Sequence, residues 1–414
     1  MTDAARHTRQ TTLFYGWAVV AGAFVVMFMG FGAAYTFGAF FHSLRDEFGA
    51  TRSQIALIFA LTSSIYFGLG VVSGRIADRV GPRRVIVAGG ILLGSGFLLA
   101  AFTQQLWQIY LTYSLCVGLG VGLTYVPSIG TVQRWFVRRR GFASGLAVAG
   151  IGLGNLLFPP VAAVLIDAAG WRTAYIVLGV VVLTCTLAAA LVIERGPEVR
   201  GLLPDGDTSS DPASVAVSWG MTPGEALRTR TFRILYLACI ATTLGLFIPF
   251  AHLVPYAEDH GLSEFTGAVL LGAIGAGSVG GRLLLGGSAD RIGRRQALAG
   301  SFVLMAATQL WWLAATQTWS LVVFALLFGA GYGGFVALIP ALASDYFGIR
   351  HTGALIGLLY TSAAIGSLVG PTLAGVAFDL RDSYTLPILL SAVANLFAAG
   401  CMAIIGAPSH IQME

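Results

Sequence analysis

Twelve long apolar segments, separated by short polar stretches, constrain this 414-residue chain more than any other feature. Each segment is about 20 residues long, the length at which a helix crosses the ~30 Å hydrocarbon core of a bilayer. Only helices and closed barrels satisfy every backbone hydrogen bond in that core. The sequence therefore predicts an all-α membrane protein with transmembrane helices at 15–41, 53–74, 85–103, 106–130, 141–166, 172–193, 231–256, 265–288, 296–315, 319–343, 352–377 and 383–405.

Charged residues are scarce and scattered. They make up 10% of the chain, where a soluble protein carries roughly 25%. The net charge of +5 is spread between apolar segments, which argues against a cytosolic enzyme, a disordered scaffold or a partner nucleic acid. The cysteines lie inside apolar segments without metal-ligand spacing, so we expect no disulfide, metal or cofactor. They are Cys116, Cys185, Cys239 and Cys401.

One polar stretch, 194–230, is longer than the others and rich in Pro, Gly, Asp and Ser. Such a composition is typical of a solvated linker. It divides the chain into an N-terminal six-helix half (1–193, with a short polar tail), a linker (194–230) and a C-terminal six-helix half (231–414). The first apolar segment is longer than the core of a signal peptide, so we expect it to stay as a helix.

The arginines predict the orientation. All 24 basic residues are Arg. With both termini on one side, that side carries 19 of them, the other carries 4, and one lies within a helix. Basic residues favour the cytoplasmic side. We therefore expect a multi-pass plasma-membrane protein with cytoplasmic termini, functional as a monomer. The absence of Lys and the short loops favour a bacterial inner membrane.

The two halves repeat one another at a nearly constant offset. Glycine, aspartate and arginine recur 212 residues apart, in the pairs Gly74/Gly286, Asp78/Asp290, Gly81/Gly293 and Arg83/Arg295. Such an offset predicts two pseudo-symmetric halves related by an axis along the membrane normal. Transporters built in this way bind substrate between the halves near the bilayer midplane, and rock one half against the other.

The repeated stretches carry a recognisable motif. The loop predicted after the second helix reads GRIADRVGPRR, and the one after the eighth reads GGSADRIGRR. Glycine allows close helix approach, and the aspartate can cap a helix end or pair with an arginine. The pattern resembles the loop motif of the major facilitator superfamily, which implies a cytoplasmic gate. Its residues are Gly74, Asp78, Arg79, Gly81, Arg83, Asp290, Arg291, Gly293 and Arg295.

Two further stretches narrow the resemblance. The first helix opens with YGWAVVAGAF, and the fifth is entered through RWFVRRRGFASGLAVAGIGLGNLLFPP. They are similar to the signatures of the monocarboxylate transporter family and its oxalate/formate antiporter relatives. The resemblance implies a non-enzymatic carrier that moves a small monocarboxylate anion, such as lactate or pyruvate, across the lipid bilayer with a proton.

Arg282 is the one arginine within a predicted helix. It lies eight residues before Asp290, about 12 Å into the membrane at ~1.5 Å per residue. An arginine there costs about 2.5–3.5 kcal/mol on insertion scales, and its fork suits a carboxylate. We predict that it binds the substrate; the alternative is that it snorkels to the interface. The resemblance agrees, because Arg282 corresponds to the family's carboxylate-binding arginine.

Hydroxyl groups complete the predicted substrate site. Tyr125 and Tyr332 lie in glycine-rich stretches at roughly corresponding places in the halves, and Tyr35 and Tyr360 are further candidates; each could instead serve in packing. Ser278 is the sixth candidate for the substrate site. Against the family, Tyr35 replaces a lysine and Ser278 replaces an acidic residue. Tyr360 replaces the second cation of the oxalate antiporter. A single cation favours one carboxylate.

His252 is the predicted proton carrier. It lies inside a helix, and imidazole titrates near neutral pH; the alternative is a hydrogen-bonded residue near the outer mouth. Three other functions remain open: an oxalate/formate-type anion exchanger, a membrane-embedded enzyme or sensor, and an exporter of drugs or sugars. The sequence has no clustered catalytic set and no appended soluble domain. An exporter of neutral compounds would not need Arg282.

Overall fold

Membrane-length helices dominate the computed structural model, which describes residues 14–136, 139–206, 220–348 and 351–406. Twelve helices cross between two faces within these ranges. The first six are α1 (Gly16–Phe48), α2 (Arg52–Val80), α3 (Pro82–Ala100), α4 (Leu106–Trp135), and α5 and α6, which together span Arg140–Val192. The last six are α7 (Arg230–Asp259), α8 (Glu264–Ile292), α9 (Arg294–Trp312), α10 (Thr318–Phe347), α11 (Thr352–Arg381) and α12 (Thr385–Ile404).

Several helices are interrupted. A 3₁₀ segment at Thr36–Phe40 divides α1, and α7 breaks between Leu246 and Ile248. The helical run from Arg140 to Val192 reverses at Gly170, where φ is +78°. A left-handed backbone favours glycine because a Cβ would clash there, so Gly170 separates α5 (140–169) from α6 (171–192).

The two faces differ in their connections. We call the side with Phe14, Gly406, the turns at Gly81 and Gly293 and the described parts of the connection 194–230 the linker face. The opposite side is the distal face. The connection is docked at both ends: Trp135 Nε1 of α4 donates to the Glu194 carbonyl at 3.0 Å, and Met221 N–H donates to the Phe347 carbonyl at 2.8 Å. It includes a short helix, Pro223–Arg228.

The repeat extends to backbone conformation. Gly81 has φ +94° and ψ +139°, and Gly293 has φ +92° and ψ +135°. Both residues make the tight turn into the next helix, α3 or α9. That φ is unfavourable for other residues. Glycine recurs at offset 212 because both halves contain the same turn.

The repeated arginines also have equivalent partners. Arg83 Nε donates to the Ile193 carbonyl at 3.0 Å, and Arg295 Nη1 donates to the Ile405 carbonyl. Both acceptors belong to the C-terminal ends of helices, α6 and α12, where backbone carbonyls lack intrahelical partners. These arginines therefore cap corresponding helix ends in the two groups of six helices.

One boundary prediction is wrong. The motif after the second and eighth helices was expected in loops, but α2 continues to Val80 and α8 to Ile292. Only Gly81 and Gly293 form the turns. Hydropathy falls before the helix ends because the polar residues of the last turns lie where water can solvate them, and the backbone stays helical there.

Two helix pairs make the most extensive contacts between the groups of six. α2 packs on α11 and α5 packs on α8. The second contact is close: a Cβ added to Gly275 of α8 would lie 2.8 Å from the Gly152 carbonyl of α5. The site described below lies between these two seams.

Candidate functional site

Arg282 extends from α8 toward α5. Its Nη1 donates to the Val148 carbonyl at 2.9 Å. Its Nε and Nη2 are buried and have no hydrogen-bond partner among the described residues. Buried donors are normally paired, and two free donors on one edge of a guanidinium match the two oxygens of a carboxylate.

A central cavity of about 40 Å³ lies beside this guanidinium. Arg282, Tyr35, Tyr125, Tyr332 and Tyr360 all line it. The structure thus brings together five of the six residues that the sequence proposed for the substrate. The rest of the lining is mostly apolar and includes Phe31, Phe67, Ile151, Leu246, Phe247, Phe335, Val336, Ile339 and Leu359.

The tyrosines form two pairs across the groups of six helices. The hydroxyls of Tyr35 in α1 and Tyr332 in α10 are 3.1 Å apart. Tyr125 of α4 and Tyr360 of α11 line the same cavity, one from each group. Each pair therefore places a hydroxyl from either side at the cavity, where it can donate to a bound anion.

The volume limits the ligand. A water molecule needs roughly 10–15 Å³ of such space, so 40 Å³ holds only a small ion in this conformation. The polar groups gather at Arg282 and the tyrosines, and the other walls are hydrocarbon. This arrangement suits one charged head and a short apolar or weakly polar remainder.

Glycines in α8 and α10 determine the positions of Arg282 and Tyr332. Gly277 and Gly281 of α8 face the α10 backbone, and Gly329 and Gly333 of α10 face that of α8. A Cβ on any of them would lie 2.0–2.2 Å from a carbonyl oxygen of the other helix. Such small-xxx-small pairs allow close backbone contact. Arg282 and Tyr332, each adjacent to one of these glycines, therefore have fixed positions.

Ser278 does not line the central cavity. It is 1% exposed, and its Oγ has no hydrogen-bond partner among the described residues. The α8–α10 contact explains its position, because a Cβ on Gly333 would lie 2.1 Å from the Ser278 carbonyl. The family pattern placed this residue one turn before Arg282, but it did not show that its side chain points away from the cavity.

His252 is separate from the central cavity and lies toward the distal face. It is fully buried in α7. Its Nε2 is 2.8 Å from the Pro371 carbonyl, and its Nδ1 is 3.1 Å from the Tyr384 hydroxyl. Both ring nitrogens therefore have partners in this conformation.

Sequence reasoning missed the contacts that close the distal face. Arg52 of α2 donates to Asp259 of α7 and, at 2.8 Å, to Tyr384. The backbone N–H groups of Arg52 and Ser53 donate to the Asp379 carboxylate of α11, both at 3.0 Å. We call Arg52, Asp259, Asp379 and Tyr384 the distal bridge. One signal for Asp379 was present in the sequence: Asp167 lies 212 residues before it, at the same offset as the other repeated residues.

The linker face is open by contrast. A cavity of about 620 Å³ is lined there by Gly74 and Asp78 of α2, among others. Arg134 of α4 donates to Asp78, so this motif aspartate pairs within the first six helices. Arg79 and Arg291 lie in the last turns of α2 and α8. The side chain of Asp290 lies outside the described part of the structure.

Among the described residues, no group of three or more His, Cys, Asp or Glu side chains could hold a metal ion. The four cysteines are free thiols. The chemistry that the central cavity offers is therefore electrostatic and hydrogen-bonding: one guanidinium, several hydroxyls and an apolar wall.

Comparisons with known sequences agree with this geometry. The sequence pattern of the Major Facilitator Superfamily matches residues 23–289 and 236–410. "Monocarboxylate transporter 11" of Homo sapiens is 30% identical over 406 residues, 95% of this chain and 83% of that protein. "Monocarboxylate transporter 4" of Rattus norvegicus is 30% identical over 383 residues, 91% of this chain and 80% of that protein.

A fungal relative is similar over nearly the same length. "MFS-type transporter 1" of Ophiocordyceps sp. is 29% identical over 375 residues, 89% of this chain and 80% of that protein. These relatives are transporters, not enzymes. Ten described helical stretches are long and apolar enough to cross a membrane, and one of them, Phe142–Val192, contains both α5 and α6.

Proposed function

This chain belongs to the monocarboxylate transporter family of the Major Facilitator Superfamily, and on that premise we propose that it carries a small monocarboxylate, such as lactate or pyruvate, together with a proton. Transport proceeds by alternating access, with 1–193 and 231–414 moving against each other about the connection 194–230. The alternative is exchange of organic anions of the oxalate/formate type.

The free Nε and Nη2 of Arg282 carry this proposal. A carboxylate that accepts from both donors satisfies them and receives further hydrogen bonds from Tyr125, Tyr332, Tyr35 or Tyr360. A buried cation without a counterion is strongly disfavoured, so binding of an anion is favourable. The described lining contains one arginine and no lysine, which suits one carboxylate per substrate.

The conformation fits one step of the cycle. The distal bridge is closed, and the cavity of about 620 Å³ opens to the linker face. We assign the linker face to the cytoplasm because arginines accumulate there, so this is the inward-open state. The motif residues at Gly74, Asp78, Arg83 and Arg295 then belong to the cytoplasmic gate, and the bacterial inner membrane is the expected location.

His252 is the proposed proton carrier. It is a titratable side chain buried beside the groups that close the distal face. A residue that binds a proton near neutral pH and contacts a moving gate can link proton and substrate movement. Arg282 does not serve this role, because guanidinium stays protonated in proteins.

The test uses purified protein in liposomes at an internal pH of about 7.5. Lowering the external pH to about 6 should drive radiolabelled lactate inward, and a protonophore should abolish accumulation. Arg282→Ala should reduce uptake at least a hundredfold, consistent with loss of a charged hydrogen-bonded partner. Arg282→Lys should retain a small part, since it keeps the charge but not the fork.

Two controls separate the alternatives. Arg233→Ala, at an exposed position of α7 on the linker face, should leave uptake unchanged. Uptake that ignores the protonophore and requires internal oxalate or formate would identify an exchanger. Lactate binding that survives Arg282→Ala in folded protein would contradict the assignment of the site.

A further inference from the structure

The distal bridge contains a buried charge that joins the two groups of six helices. The side chain of Arg52 is 8% exposed. Its guanidinium pairs with Asp259 and lies 3.8 Å from the centre of the Phe378 ring. Removing one partner of such a pair leaves an uncompensated charge. Opening of the distal face separates α2 from α7 and α11, so it has to break these contacts.

His252 is connected to Arg52 through one shared hydroxyl. The Pro371 carbonyl can only accept, so His252 Nε2 carries the hydrogen in that 2.8 Å contact. Arg52 Nη1 donates to the Tyr384 oxygen, which leaves the hydroxyl hydrogen of Tyr384 for His252 Nδ1 at 3.1 Å. This chain of donors requires a neutral imidazole, because a protonated Nδ1 cannot accept.

The charged residues around His252 have opposite effects on its protonation. Arg52 on α2 opposes a second cation nearby, whereas Asp259 on α7 and Asp379 on α11 favour one. From α1 the ring of Phe41 faces the imidazole, with centroids 5.7 Å apart. In the closed arrangement Arg52 pairs with the Asp259 carboxylate and donates to the Tyr384 oxygen. The negative charge of Asp259 is then neutralised by Arg52 and does not stabilise a protonated imidazole. The closed arrangement therefore favours neutral His252.

We infer that proton binding at His252 and closure of the distal bridge exclude each other, with Arg52 as the positioning residue that links them. A proton from water on the distal side adds to Nδ1, Tyr384 turns its hydrogen away, and Arg52 leaves the shared hydroxyl. Linkage is reciprocal: acid on the distal side opens the distal face, and closure releases the proton. The inference rests on the proposed proton symport and names its switch.

The test measures opening directly, without substrate. Spin labels at positions 50 and 386, at the distal ends of the two groups of helices, report the width of the distal face in protein reconstituted in nanodiscs. Wild type should be closed at pH 8 and gain an open population at pH 5.5. His252→Gln should stay closed at both values, because an amide can donate to Pro371 and accept from Tyr384 as neutral histidine does.

Arg52 is tested by a readout beyond opening. In Arg52→Gln the titration midpoint of His252, followed by NMR of ¹⁵N-labelled histidine, should rise by about one pH unit because a nearby cation is lost. Arg52→Lys should largely restore it. Arg172→Gln is the matched control: Arg172 also pairs with a carboxylate, Glu47, and lies over an aromatic ring, Trp171, but within the first six helices.

The outcomes separate this inference from the proposed function. Wild type that does not open in acid, His252→Gln that opens like wild type, or an unchanged His252 midpoint in Arg52→Gln each overturns the inference. If Arg52→Gln does not fold, His252→Gln still decides. Protein that opens in acid but accumulates no lactate contradicts the proposed symport, whereas lactate accumulation without acid opening contradicts only the inference.

Discussion

Single residues decide the chemistry of the central cavity, and Arg282 dominates them. The sequence singled it out as a candidate because a lone charge in an apolar helix is unfavourable unless it has a function. Its surroundings were less predictable. Tyr35 and Tyr332 are 297 positions apart in sequence, and their contact depends on how α1 and α10 pack. A pattern along one chain does not contain that distance.

The tyrosine hydroxyls should contribute directly to affinity. Tyr125→Phe and Tyr332→Phe each remove one donor beside Arg282, and a hydrogen bond to a charged group is worth about 1.5–3 kcal/mol. We expect lactate binding to weaken about tenfold or more in each variant, measured by calorimetry on purified protein. Tyr175→Phe is the control, because its buried hydroxyl has no partner among the described residues and does not line the cavity. Equal affinities in all three variants would contradict the assignment.

Elements decide where those residues stand, and glycine is the principal means. The contact between α8 and α10 depends on four glycines that meet opposing carbonyl oxygens. The sequence showed that glycine in the repeated motif allows close helix approach, but it could not show which helix each glycine faces. Some helices are also longer in the structure than the sequence predicted. Hydropathy indicates where the lipid ends, and helices such as α2 continue past that point to Val80.

Neighbouring glycines of α8 should respond differently to substitution. A Cβ at Gly281 would lie 2.0 Å from the Ala330 carbonyl, whereas nothing lies within 4 Å of a Cβ at Gly280. Overpacking of this kind costs about 1–3 kcal/mol, so Gly281→Ala should lower the melting temperature by several degrees and weaken lactate binding. Gly280→Ala should match wild type. Melting curves of the two purified variants decide, and coincident curves would refute the proposed packing constraint.

Whole-molecule behaviour depends on the seams between the two groups of six helices. The α5–α8 seam is made of close backbone contacts, and the α2–α11 seam carries the distal bridge. The sequence indicated two related halves, but the charged residues near the helix ends fell outside the predicted helices and were assigned to loops. Arg52, Asp259 and Asp379 are far apart in the chain, and only the packing of α2, α7 and α11 brings them together.

Asp379 should help to hold the distal face closed. Its carboxylate accepts from two backbone N–H groups at the start of α2, an arrangement that resembles a helix cap, which is worth about 1 kcal/mol. Asp379→Asn should therefore increase the open population about fivefold at pH 8, measured with the labels at 50 and 386. Asp167→Asn, at the repeat-equivalent exposed position, should leave it unchanged. An unaltered distance distribution in Asp379→Asn would rule out this role.

The repeat also bears on how a bound ion is oriented. Gly81 and Gly293 keep one backbone conformation in both copies, but the counterpart of Arg282 at offset 212 is Gly70, a residue without a side chain that lines the linker-face cavity. The two copies thus share these backbone turns, but only the second copy has a charged residue at the Arg282 position. Within the described lining of the central cavity, the only cation comes from the second copy, so we expect a bound carboxylate to keep its head toward α8 and its tail toward the first copy throughout transport.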